Sequence, residues 1–255
     1  MRLLQAQLGR LAGTRRGEIA ERVLGRARAF RRRQWYPHDE AGTAALVAAC
    51  IARAEARGAV RMERIVPYVE GALVLGFRFE DDPLLPWASR ALEEHPVEGR
   101  RVAPWRERAD EHIAAVVGEG GEHQARALRA FGEGPLPETA GLSPERFDAA
   151  VLASFERLHP RKCAAVGEEA LARLLSVGRT LAPRPDLRTP EVLCLYSHLQ
   201  LLLGSVFVQD PRCAFAPRAL RVLPGEPPSV RASRLRAAAR ERISAWLAGG
   251  GSAGV

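Results

Sequence analysis

Residues 68–92 read YVEGALVLGFRFEDDPLLPWASRAL, and residues 196–220 read YSHLQLLLGSVFVQDPRCAFAPRAL. The two stretches align without a gap, and eleven of their 25 positions are identical. Their leucine content and helix-start signals favour helices, and no segment of the chain shows the sustained alternation typical of a strand. The repeat therefore predicts an all-α protein of two tandem, related helical modules, produced by internal duplication and packed together.

The spacing of the repeat also divides the chain. Residues 1–120 are predicted to form a first helical module whose N-terminal helix, over 17–34, is rich in arginine. Residues 121–142 are rich in Gly, Pro and Glu and are predicted to form a linker that contains a short helical patch. Residues 143–248 form the second module, and residues 249–255 a disordered tail.

Prolines behind capping residues mark helix starts in both modules. Ser143-Pro144 and Thr189-Pro190 each place a hydroxyl before a proline, and Asp82-Pro83 does the same with a carboxylate. A capping oxygen accepts the first unpaired N–H groups of a helix, and proline presets the backbone angle of the first turn. These steps predict helices over 83–95 and 144–158.

The repeated residues are interpreted as framework. The glycines suit a close helix crossing or a helix end, the phenylalanines enter the core, and the aspartates cap the next helix. A ligand pocket under Asp and Arg, used twice, is the alternative. The repeat positions are Tyr68, Gly76, Phe79, Asp82, Pro83 and Trp87, matched by Tyr196, Gly204, Phe207, Asp210, Pro211 and Phe215.

The excess positive charge lies at the N-terminus. Residues 1–33 contain ten arginines and two acids, which equals the net charge of +8 of the whole chain. A basic helix can bind an acidic protein partner, nucleic acid or anionic lipid. No aromatic residues are interleaved along it and no helix-turn-helix pattern follows, so a protein partner is favoured over nucleic acid. The candidate partner-binding residues are Arg22, Arg26, Arg28, Arg31, Arg32 and Arg33.

The sequence contains none of the familiar catalytic or nucleotide-binding motifs, so no catalytic residue and no cofactor are predicted. His198, beside Cys194, is interpreted as a core histidine with its hydrogen bonds satisfied. A metal site at Glu80-Asp81-Asp82 is unsupported, because only Asp82 recurs in the second copy. A cryptic enzyme remains a third possibility after protein binding and nucleic-acid binding.

The location is predicted from what the sequence lacks. No apolar run is long enough to span a membrane, and the N-terminus has no continuous apolar core of a signal peptide. The four cysteines have no metal-site or disulfide spacing and are interpreted as buried thiols. A cytoplasmic protein is expected.

The second module resembles a group of small helical bacterial proteins encoded near type VI secretion and PAAR-type spike genes. The resemblance lies in residues 155–175, FERLHPRKCAAVGEEALARLL, and residues 202–211, LLGSVFVQDP. Val166, Ala170 and Phe215 depart from the group's Leu, Gly and Trp, and the first module lacks the C-x-x-L-G-E-E segment. The resemblance implies an accessory role as adaptor, effector chaperone or immunity protein, and it supplies no catalytic residues.

Overall fold

The structure, a computed structural model, describes residues 13, 16–25, 40–58, 62–94, 103–181, 189–221 and 225–250. Within these residues the protein is helical and contains no strand, which confirms the all-α prediction. No described helix is long and apolar enough to cross a membrane. The helices are α1 (16–25), α2 (Glu40–Ala56), α3 (Met62–Leu75), α4 (Pro86–Glu94), α5 (Ala103–Val116), α6 (Glu122–Glu133), α7 (Pro144–Leu158), α8 (Pro160–Val166), α9 (Glu168–Leu181), α10 (Pro190–Leu203), α11 (Phe215–Ala219) and α12 (Pro228–Gly250).

Helix positions in the two halves follow the spacing of the repeated motif. Glu40 and Glu168 begin α2 and α9, and both starts are separated by the 128 residues that separate the two motif copies. Helices α3 and α10 keep the same offset at both ends and are 14 residues long. Internal duplication remains a hypothesis, and this shared offset supports it.

Capping accounts for the starts of α7 and α8. The Ser143 hydroxyl accepts a hydrogen bond from the Arg146 N–H at 3.4 Å, and Pro144 opens α7 as predicted. His159 then caps α8 by accepting from the Lys162 N–H at 3.3 Å. The sequence predicted a break at His159-Pro160, and the structure shows that a short helix begins there.

Three large apolar cores hold the described helices together, and a small fourth cluster around Ala109 and Ile113 packs α5 against Leu75 and Trp87. The first core joins α1, α2 and α3 around Val47, Ile51 and Val69. The second joins α7, α8 and α9 around Phe155 and Leu174, and the third joins α6, α10, α11 and α12. Each core lies between amphipathic helices, the arrangement that buries one face of each helix.

The stretch predicted as a linker contains α6, which packs into the third core. Leu128 and Phe131 of α6 are at most 2% exposed. Residues 121–142 thus contribute to the core as well as connecting the modules, because the apolar positions of α6 fall on one face that α10 and α12 cover. At the C-terminus, α12 includes residues 249 and 250, which the sequence assigned to the tail; residues 251–255 lie outside the described residues.

Candidate functional site

Each motif copy forms a corner that follows a long helix. We name residues 76–85 corner 1 and residues 204–213 corner 2. Gly76 ends α3 with a φ of +109°, and Gly204 ends α10 with a φ of +103°. A 3-10 turn follows each glycine and buries Phe79 or Phe207 to 1% exposure. Of the two roles that the sequence left open for the glycines, the structure shows the helix end at both corners, and Phe79 and Phe207 lie in the core.

The aspartates cap their own corners. In corner 2 a 3-10 helix, Pro211–Cys213, begins directly after Asp210 and α11 follows at Phe215, whereas the helix predicted at Pro83 begins later. Asp82 Oδ1 accepts from the Leu84 N–H at 2.9 Å, and Asp210 Oδ1 accepts from the Arg212 N–H at 2.9 Å. In corner 1 the chain makes a turn through Pro83, and α4 begins only at Pro86. The predicted helix start at Pro83 is wrong because Leu84 leaves the helical path and enters the second core.

The two corners also contact each other. Asp82 Oδ2 accepts from the backbone N–H of Ser205 at 3.1 Å. Burial raises the pKa of Asp210 to about 6, and the backbone N–H groups of Arg212 and Phe77 offset part of this effect. Phe77 and Ser205 occupy equivalent positions of the two motif copies. Arg212 Nη1 in addition donates to the Leu73 carbonyl at 3.2 Å. The aspartates therefore join the two halves of the molecule as well as capping a turn.

The corners differ at the residue after the buried phenylalanine. Glu80 is buried, and its Oε1 accepts from the Tyr68 hydroxyl at 2.8 Å, from Arg53 at 2.7 Å and from Arg57 at 3.0 Å. The second copy has Val208 in place of Glu80. The Tyr196 hydroxyl is accordingly buried without a hydrogen-bond partner among the described residues.

The acidic triplet of corner 1 is used for contacts within the protein. Glu80 binds Arg53, Arg57 and Tyr68, and Asp81 binds Arg53 and Arg78. No group of three or more His, Cys, Asp or Glu side chains within the described residues is placed to hold a metal ion.

A cavity of about 130 Å³ lies where the two corners meet α5, α6 and α8. Leu75, Leu84, Ile113, Val116 and Leu202 are among its apolar lining residues. Its polar lining residues come from distant parts of the chain and are Asp82, His112, Gln124, Lys162, Asp210 and Arg212. This is the place in the described structure where ionisable groups converge on a concave surface, which is the usual setting of a binding site.

Lys162 is the lone lysine of a chain with 38 basic residues. Its Nζ donates to the Leu201 carbonyl at 2.5 Å. Burial lowers the pKa of Lys162, and the opposing charge of Asp82 offsets part of this effect. Burial, with a smaller contribution from Lys162, also lowers the pKa of His112 to about 4. The cavity thus combines a desolvated amine with a histidine that is neutral at physiological pH.

Gln124 and His159 tie the helices around the cavity together. His159 Nε2 lies 3.1 Å from Gln124 Oε1, and Gln124 Nε2 donates to the Leu202 carbonyl at 2.9 Å. Burial is the largest cause that lowers the pKa of His159, to about 3. The neutral imidazole can therefore accept the Lys162 N–H and donate to Gln124, which fixes α6 against α8 and α10.

The Arg-rich helix is described only in part. Of the candidate partner-binding residues, Arg22 lies on α1 and is exposed; Arg26, Arg28, Arg31, Arg32 and Arg33 lie outside the described residues. Ile19 and Val23 on the same helix are 0% exposed and belong to the first core. Arg16 pairs with Glu55 of α2 at 2.5 Å. These contacts fix α1 against α2.

His198 has the structural role predicted from the sequence. Its Nδ1 lies 2.7 Å from the Cys194 carbonyl and its Nε2 lies 2.9 Å from the Ser154 hydroxyl. Burial lowers the pKa of His198 to about 4. The four cysteines are buried free thiols, as expected, and burial raises the pKa of each.

Sequence reasoning missed the residues of the cavity. Lys162, His112 and Gln124 belong to no recognised motif, and they come together only through the packing of α5, α6 and α8. The one available signal was compositional, namely a single lysine in a chain whose other basic residues are all arginine.

No protein-family model, curated protein or solved structure matches this chain. The geometry of the molecule and the residues named above are therefore the basis for assigning a function.

Proposed function

We propose that this chain is a cytoplasmic, non-enzymatic accessory factor of a bacterial secretion or toxin system, which acts by binding a protein. Adaptor, effector chaperone and immunity protein are the roles that the motif resemblance implies. The observation that supports the proposal is the packing of α1 on the first core, because it holds Arg22, one of the candidate partner-binding residues, exposed on the surface of the molecule.

The contacts of α1 support a docking role. Ile19 and Val23 are buried in the first core, and Ala20 and Leu24 pack against it, so one side of the helix is covered while Arg22 on the other side is exposed. The chain outside residues 1–33 has equal numbers of basic and acidic residues, and many of these are paired within the structure, as Arg53 is with Glu80. The N-terminal segment is therefore the source of the excess charge, and an acidic partner surface complements it.

Binding to nucleic acid or an anionic surface is the second candidate. The same net charge of +8 favours it, since arginines bind phosphate groups and release counterions. The two candidates differ in their dependence on salt. Neutralising several phosphates makes binding fall steeply as salt rises, whereas a protein interface with an apolar centre is less sensitive.

Affinity purification from the native host, followed by identification of the bound proteins, tests the first candidate. The test variant replaces Arg31, Arg32 and Arg33 with glutamine. A matched control replaces the exposed arginines Arg129, Arg146 and Arg161, which lie elsewhere on the surface, with glutamine. We expect one specific partner to be retained by the wild-type protein and the control and lost from the test variant.

Two outcomes would contradict this proposal. If no specific partner is retained, or if the partner binds both variants equally, the Arg-rich segment is not a protein-docking surface. If instead the wild-type protein is retained on DNA or heparin, elutes with rising salt, and loses retention only in the test variant, the second candidate replaces the first.

A further inference from the structure

We propose that the cavity between the corners takes a small, mainly apolar aldehyde or ketone, and that Lys162 captures it as an imine. This inference is independent of the proposed function and concerns a different part of the molecule. It starts from the position of the sole lysine, because the Lys162 side chain lines the cavity together with Asp82, whose charge acts on it.

Lys162 has the properties of a nucleophilic amine. An ammonium has three N–H donors, and the hydrogen bond to the Leu201 carbonyl uses one of them. Burial lowers the pKa of Lys162, which raises the fraction of neutral amine at physiological pH. Desolvation of a lysine in an apolar pocket is a general way to activate it toward carbonyl compounds.

The size and lining of the cavity limit the ligand. A cavity of about 150 Å³ lined by apolar side chains holds one benzene molecule, and the cavity here is about 130 Å³. Leu84, Ile113 and Val116 present apolar walls. A short aliphatic chain fits these dimensions, whereas a fused aromatic ring system is too large.

The cavity also presents a free donor. Trp246 lines it, is 2% exposed, and its Nε1–H has no hydrogen-bond partner among the described residues. An unpaired buried donor is unfavourable, and a ligand oxygen would satisfy it. Lys162 and Trp246 are both donors, so a ligand with an acceptor at one end, such as a carbonyl, matches the cavity.

The cavity is not lined by fully buried residues alone. Leu75, Val117, Gln124, Lys162 and Leu203 all line the cavity and are half-buried. We expect a small ligand to enter at these partly exposed side chains.

Formation of the imine conserves atoms and charge. The ammonium of Lys162 releases a proton to water, and the Nζ lone pair attacks the carbonyl carbon while the π electrons of C=O move to oxygen. The carbinolamine oxygen takes up protons and leaves as water, and the C=N bond forms. Two protons leave nitrogen and depart in that water, so the protonated imine carries the charge of the original ammonium. No electron is gained or lost.

The test treats the full-length wild-type protein with butanal and cyanoborohydride, which reduces an imine to a stable secondary amine. Peptide mapping then compares labelling of Lys162 with labelling of the N-terminal amine. An ordinary lysine, with a pKa near 10.4, would react far more slowly than an α-amine with a pKa near 8. We expect Lys162 in the folded protein to be labelled at least as fast as the N-terminus, and to lose this advantage in urea.

Three comparisons make the test specific to the cavity. A naphthaldehyde should label the N-terminus and spare Lys162. Val116→Phe fills the cavity without touching the lysine and should reduce labelling of Lys162 by butanal about tenfold. Trp246→Phe, which removes the N–H and keeps an aromatic ring, should reduce it several-fold. Circular dichroism verifies that both variants are folded.

The proposal is overturned if Lys162 in the folded wild-type protein is labelled more slowly than the N-terminus. It is also overturned if Val116→Phe is folded and labelled at the wild-type rate, or if naphthaldehyde labels Lys162 as readily as butanal. None of these results bears on partner binding by the Arg-rich segment, so failure of one proposal leaves the other to its own test.

Discussion

Two tyrosines at equivalent positions have opposite hydrogen-bonding states. The Tyr68 hydroxyl donates to a buried carboxylate, whereas the Tyr196 hydroxyl is buried and unpaired. Both rings pack on the phenylalanine of their own corner, with centroids 5.5 Å and 5.0 Å apart. Replacing each tyrosine with phenylalanine therefore measures the contribution of its hydroxyl to stability while the ring packing is kept.

We expect Tyr68→Phe to lower the free energy of unfolding by about 2 kcal/mol, because a hydrogen bond to a charged group is lost. Tyr196→Phe should change it by less than about 0.5 kcal/mol or stabilise the protein, because it removes an unpaired buried hydroxyl. Urea denaturation of both variants measures the difference. Equal losses in the two variants would mean that Tyr196 has a partner.

His198 makes stability depend on pH. Its pKa is about 4 in the folded protein and 6.5 when unperturbed, so the unfolded chain binds the proton more tightly. Protonation of His198 therefore does not lower the free energy of unfolding above pH 6.5, but it does so increasingly as the pH falls toward 4. The loss is on the order of 3 kcal/mol, since one pKa unit corresponds to about 1.4 kcal/mol.

Urea denaturation at a series of pH values checks this prediction. His198→Gln should flatten the decline in unfolding free energy between pH 6.5 and 4, whatever its effect at neutral pH. An unchanged slope in this variant would assign the acid sensitivity to other buried groups. His112 and His159 are candidates, because burial lowers their pKa values as well.

At the scale of the element, the corners depend on the backbone conformation of their glycines. Gly76 and Gly204 have φ values that residues with a side chain rarely adopt. Space is not the limit, since a Cβ at either position would meet its nearest atom at 3.8 Å. The requirement for glycine at both corners is therefore conformational.

We expect Gly76→Ala and Gly204→Ala each to lower the unfolding free energy by about 1–3 kcal/mol, the cost of holding a side-chain residue in a strained conformation. Gly132→Ala is the matched control. Gly132 lies inside α6 with no positive φ and no atom within 4 Å of an added Cβ, so alanine there should stabilise by about 0.5–1 kcal/mol. Thermal or urea unfolding distinguishes strain from a general effect of replacing glycine.

In the molecule as a whole, side chains of each half contact the other half. Leu84 of corner 1 is 2% exposed in the second core, and Arg212 of corner 2 reaches the Leu73 carbonyl of α3. Each half therefore completes the packing of the other. This exchange indicates one cooperative folding unit and not two separable modules.

We expect urea to expose Cys50 of the first core and Cys194 of the second at the same midpoint, because Leu84 of the first half completes the second core and residues 211–213 of the second half contact α2. Pulsed alkylation of the buried thiols measures both midpoints in one sample. Leu84→Ala should move them together, with a loss of about 2–5 kcal/mol. Midpoints that separate in the wild-type protein would show that the halves unfold independently.

The sequence by itself determined the helices and the local parts of the corners. Ser143-Pro144 placed the start of α7 correctly. The positions of Phe207 and Asp210 predicted a core residue and a cap, while Gly204 was compatible with either a close helix crossing or a helix end. The core role of His198 was also predicted, from its place in an apolar helix. These features depend on neighbours within about one or two turns of chain, so spacing along the sequence is enough to predict them.

The contacts of the corners and of the single lysine depend on how the helices pack. Leu84 enters the opposite core, the segment predicted as a linker contributes Phe131 to the third core, and Lys162 lines the same cavity as Asp82. Such pairs are far apart in sequence, and their contact follows from how the helices pack. Packing depends on the combined shape of several helix faces, which no local spacing records.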